Sequence, residues 1–121
     1  MALNSQGKKN KPVVLDADYP GGNGDFYLYR TADNALLQPN AQGPSSVHYV
    51  LFPPAGVNDY DLHVIPQLLS GGTSTVRISI TQDGKQLPTV DEKGATVVMP
   101  DEMKNLPNAQ DTLVDIGIGL S

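Results

Sequence analysis

The stretch VRISITQDGK, from Val76 to Lys85, decides the fold class. Val76, Ile78 and Ile80 alternate with Arg77, Ser79 and Thr81, a period of two that sends one set of side chains inward and the other toward water. Asp83-Gly84 then supplies two residues that tolerate positive φ, as a tight two-residue hairpin requires. The chain must turn back there, and Lys85 to Val90 is expected to return antiparallel.

The same period recurs outward from this hairpin. In FYLYR, Phe26 and Leu28 share one face and Tyr27 and Tyr29 the other. Val47 to Phe52 (VHYVLF) is apolar on both faces, as expected of a central strand, and Pro53-Pro54 ends it. Val13 to Leu15, Asp61 to Ile65 and Thr96 to Met99 read as further short strands, whereas Thr31 to Ser46 reads mainly as loop. The C-terminal TLVDIGIGL puts Val114, Ile116, Ile118 and Leu120 on one apolar face, with Asp115, Gly117 and Gly119 opposite. The one expected helical turn is Asp101 to Leu106, with acids at its N-terminus and Pro107 stopping it.

About seven or eight short strands with frequent turn signals define an all-β chain, an antiparallel β-sandwich or jelly roll, with a small closed barrel as the alternative. At 121 residues and 12.9 kDa the chain forms one domain. Its 12 glycines and 10 prolines fit many turns, and no apolar run approaches a membrane span. There is no cysteine, which excludes disulfides, thiol nucleophiles and Cys-ligated zinc.

The net charge of −5 hides an asymmetry. Lys8, Lys9 and Lys11 put +3 on residues 1–12, which leaves −8 for the rest. Residues 1–12 read as a flexible basic arm and residues 13–121 as the β-sandwich domain. The acidic domain would repel phosphate backbones and anionic lipid, which argues against nucleic acid and membrane partners. The N-terminus has no apolar core of a secretory signal, so the expectation is synthesis in the cytoplasm, with incorporation into a particle such as a virion.

Few residues carry chemistry. His48 and His63 are the only imidazoles, no GxSxG elbow surrounds a serine, and GGTST at Gly71 lacks the lysine of a phosphate loop. Asp16, Asp18, Asn23 and Asp25 fall in a glycine-rich segment whose oxygens could wrap calcium, although the last EF-hand position is Tyr27 rather than glutamate. No other cofactor is implied. Asp59, Asp61 and His63 project from one face if that segment is extended, a set able to bind a transition metal or a sugar.

The leading expectation is a non-catalytic structural protein acting through protein–protein contacts, a decoration or accessory subunit forming a homo-oligomer or joining a larger lattice. Partner contacts fall to Lys8, Lys9 and Lys11, to an aromatic platform of Tyr27 and Tyr29, and to the side-chain-free groove left by Gly117 and Gly119. In general style the chain resembles small β-sandwich proteins that stud viral capsids, though no motif names a family. The alternatives are a carbohydrate-binding module or lectin, calcium-assisted at Asp16 to Asp25, and a small metal-assisted hydrolase using His63, Asp61 and Asp59.

Overall fold

The computed structural model describes residues 1–121, and it contains strands and no helix. There are twelve strands, more than the seven or eight expected. They are β1 (Ala2–Gly7), β2 (Val13–Asp18), β3 (Gly24–Arg30), β4 (Ala35–Leu37), β5 (Ala41–Gln42), β6 (Ser46–Leu51), β7 (Gly56–Pro66), β8 (Thr73–Gln82), β9 (Lys85–Gln86), β10 (Thr89–Val90), β11 (Asp101–Pro107) and β12 (Thr112–Leu120). The surplus comes from β4, β5, β9 and β10, two or three residues each and too short to show a pattern in sequence, and from β1 and β11, which the sequence does not present as strands.

The strands form two packed sheets. The first has the order β10-β1-β12-β7-β3-β4, and the second β11-β8-β2-β6-β5 with β9 beside β8. Pairing is antiparallel except between β1 and β12, which run parallel from Ala2↔Asp115 to Gly7↔Leu120. Alternation holds in the long strands. Val76, Ile78 and Ile80 of β8 and Val114, Ile116, Ile118 and Leu120 of β12 all enter a core of 22 buried residues. The Asp83-Gly84 hairpin has φ of 53° and 74°, as its residues predict.

Five local expectations fail, each for a visible reason. Residues 2–7 are not a loose arm: they form β1, with Leu3 and Ser5 fully buried. The inward Ser5 hides the strand's pattern, and its hydroxyl is satisfied by a 2.7 Å hydrogen bond with Thr89 Oγ1. Asp101 to Leu106 is not helical but lies in β11. A bulge there makes Met103 and Leu106 pair with Val76 and Ser74, so inward residues fall three apart rather than two. That spacing mimics a helical turn, and Asn105, at φ 62°, supplies the left-handed residue within it.

The return strand after the hairpin is cut short. Only Lys85–Gln86 pairs with β8, after which buried Leu87 and exposed Pro88 carry the chain across to β1, where Thr89–Val90 pairs in the other sheet. Thr96 to Met99 forms no strand, making a single bridge from Thr96 to Val90 while Val97 and Met99 pack on the core. Phe52 is likewise outside the core: β6 buries Val47, Tyr49 and Leu51 on one face only, and Phe52 lies beyond its end, 78% exposed.

Candidate functional site

Two surface regions concentrate the chemistry. The first is the outer face of the first sheet. Alternation in β3, β7 and β12 puts Tyr27 and Tyr29, Asp59, Asp61 and His63, and Leu113 and Asp115 on this face, as the reading of FYLYR and of Asp59 to His63 requires. Register places Tyr27 and Leu113 on either side of His63, and Tyr29 and Asp115 on either side of Asp61. Tyr27, Tyr29, Asp61 and His63, with Asn34 and Asp111 from flanking turns, line an open cleft of about 340 Å³. His63 Nδ1 lies 2.8 Å from Asp111 Oδ2, and its ring meets Tyr29 edge to face at 5.4 Å between centroids.

The electrostatics of this face are one-sided. The four strand aspartates of the first sheet, Asp25, Asp59, Asp61 and Asp115, meet no lysine in the same sheet. Its only arginine, Arg30, is held by Asp33 at 2.7 Å. Partial burial and the facing carboxyl of Asp115 push the Asp61 carboxyl above its usual range, with Asp59 adding to the effect and His63 opposing it.

The second region is the tip where β1 ends and β2 and β7 begin. The turns Lys8 to Pro12 and Phe52 to Ala55 meet around a depression of about 390 Å³ lined by Lys11, Pro12, Phe52, Pro53 and Pro54. Val57, at the start of β7, is 80% exposed. The lysine turn is fixed from beneath by Gln82, a buried amide. Its Oε1 accepts from the Lys8 N–H at 2.8 Å and its Nε2 donates to the carbonyls of Lys8 and Lys11. Lys11 also pairs with Asp83 at 2.6 Å, so Lys8 and Lys9 are the lysines of the turn without an acidic partner.

The remaining predicted residues do not come together. Asp16 and Asp18 lie on the outer face of the second sheet, Asp16 bonded to His48 at 2.6 Å and Asp18 to Arg77 at 2.7 Å, whereas Asp25 belongs to the first sheet. The Asn23 carbonyl accepts from the Gln67 N–H. The calcium loop is therefore not assembled, because β2 extends through Asp18 and β3 begins at Gly24. No group of three or more His, Asp or Glu side chains is arranged to hold a metal ion, which also corrects the metal reading of Asp59, Asp61 and His63.

Gly117 and Gly119 do mark a close approach, but the neighbour is the chain's own β1. A Cβ at Gly119 would sit 2.7 Å from Gln6 Oε1, and one at Gly117 would collide with Asn4 Oδ1. The groove is filled, and β12 is an interior strand rather than an edge. Tyr60 takes no part in the aromatic platform: it is buried in the core, and burial raises the pKa of its phenol. Sequence reading missed Asn34, which the β3–β4 turn brings to the cleft, Asp111, Leu113 and Asp115, which the long-range pairing of β12 with β7 sets in or beside it, and Phe52, whose apolar run suggested burial.

Fold and surface together define a two-sheet β-sandwich with an acidic, tyrosine-bearing face and a basic, apolar tip. No family model matches the chain, and neither does any curated protein or solved structure. No helix is long and apolar enough to cross a membrane.

Proposed function

We propose that this chain is a non-catalytic structural protein that acts through protein–protein contacts, a small accessory or decoration subunit of a larger assembly such as a virion. The observation that carries the reading is the exposed tip, where Phe52 and Val57 stand in solvent beside Pro53, Pro54 and the lysine turn. An aromatic side chain left in water forgoes about 1.5–3 kcal/mol that docking would recover, and exposed apolar groups rimmed by charge mark interaction sites. The quiet chemistry elsewhere agrees. His48 and His63 stand on the outer faces of different sheets, each bonded to a single aspartate, and no serine or threonine lines the His63 cleft.

The test is light scattering of the parent against Phe52→Glu at matched concentrations. The variant is expected to lose association while keeping its thermal midpoint, because Phe52 contributes nothing to the core. Association equal to the parent's would remove the tip as an interface.

A second reading is favoured by the Tyr27–Tyr29 cleft, where tyrosine faces, carboxylates and the Asn34 amide converge as a saccharide would need. A glycan array should then show binding that Tyr27→Ala abolishes, and a blank array rejects it.

A further inference from the structure

We infer that copies of this chain associate head to tail, the basic apolar tip of one copy docking on the acidic, tyrosine-bearing outer face of the first sheet of the next. The inference rests on the assembly reading and adds to it the partner, a second copy, and both surfaces.

The two surfaces are opposite in charge. Residues 1–12 hold three lysines and no acid, while the remainder of the chain carries −8. The outer face of the first sheet concentrates that negative charge in Asp59, Asp61 and Asp115, with Asp111 at its margin. Carboxylates facing one another across β7 and β12 repel, and an ammonium group from outside relieves that repulsion. Lys8 and Lys9, which lack acidic partners, are such groups.

The two surfaces also match in their apolar groups. Phe52 and Val57 at the tip have counterparts on the face in Tyr27, Leu36 and Leu113, all substantially exposed. Register puts Leu36 beside Tyr29 and Leu113 beside His63, so these side chains border the acids rather than lying apart from them. Aromatic anchors with a charged rim are the usual anatomy of a specific contact.

Strand geometry separates the two surfaces within one copy. Gly56 opens β7 at the tip, Asp59 follows three residues in at the near margin of the face, and Asp61 and His63 lie five and seven residues along, about 17 and 23 Å at the usual rise per residue. The rigid strand keeps a molecule's own tip from reaching its own Asp61 and His63, so a contact with that part of the face joins unlike patches on two copies. Such contacts propagate into open chains or close into rings rather than stopping at a two-fold dimer.

The direct test is zero-length carbodiimide cross-linking of an equal mixture of ordinary and ¹⁵N-labelled full-length protein at low salt. Mixed-isotope cross-links are expected from Lys8 or Lys9 to Asp61, Asp111 or Asp115. In sedimentation velocity a tip variant, Phe52→Ser/Lys8→Ser/Lys9→Ser, and a face variant, Tyr27→Ser/Asp61→Asn, are each expected to run as monomers. Mixed, they should form a capped 1:1 pair, since each supplies the surface the other lacks. Raising salt from 0.05 to 0.5 M should weaken the parent's association about tenfold or more, because the charges are exposed. If the parent associates but cross-links tip to tip, or gives no tip-to-face link, head-to-tail docking is wrong and the assembly reading stands. If the parent stays monomeric at every concentration, both fail.

Discussion

Leu3 offers the sharpest test of the fold, because a loose arm and a sheet strand make opposite predictions for it. Its side chain is fully buried, in register with Ile116 of β12. Truncation to alanine removes buried methyl groups and leaves a cavity, which in well-packed cores costs about 2–5 kcal/mol. Beyond β1 the sheet continues only as the two-residue β10, so the site can partly collapse and the expected cost is about 2–3 kcal/mol. For a chain of this size that corresponds to roughly 8–12 °C in Tm. Urea unfolding followed by far-UV circular dichroism measures it, and the slope of free energy against urea reports whether β1 stays docked. A Leu3→Ala cost below about 0.5 kcal/mol, the range of surface substitutions, would refute the placement of β1 in the sheet.

Two further perturbations are informative. Asp61 has a folded-state pKa above its ordinary value of 3.8, so ionising it costs stability. That cost is absent below the unfolded pKa and grows as pH rises through the folded one. Asp61→Asn should therefore stabilise at pH 7 by about 0.2–1 kcal/mol, the scale of facing like charges, and the gain should vanish in acid; a pH-independent difference in melting temperature would contradict this. At Asn105, which sits at φ 62° in the bulge, glycine should be close to neutral and alanine should cost about 1 kcal/mol. Thermal melts showing glycine to be the worse replacement would favour a helical turn over the bulge.

What the sequence displays is whatever repeats at period two with apolar side chains. VRISI, FYLYR and TLVDIGIGL sort their residues to the correct faces because each repeats large apolar side chains at its inward positions, against mostly polar, tyrosine or glycine outward ones. The outward projection of Asp59, Asp61 and His63 follows from the same rule. β1 escapes it because Ser5 occupies an inward position with Thr89 as its partner, a residue 84 positions away. β11 escapes it because one extra residue changes the spacing of Met103 and Leu106. The glycines of β12 were legible as a close approach, but which backbone approaches depends on the parallel pairing with β1. The tip was legible only as charge: Lys8, Lys9 and Lys11 are visible in sequence, whereas their union with Phe52 depends on two turns meeting at one end of the sandwich.

The most direct test of the account is the mass of the unmodified protein in solution, followed by sedimentation equilibrium at low ionic strength across a wide concentration range. Head-to-tail association gives a weight-average mass that climbs above 12.9 kDa and continues past that of a dimer as concentration rises. A mass fixed at 12.9 kDa throughout would contradict it.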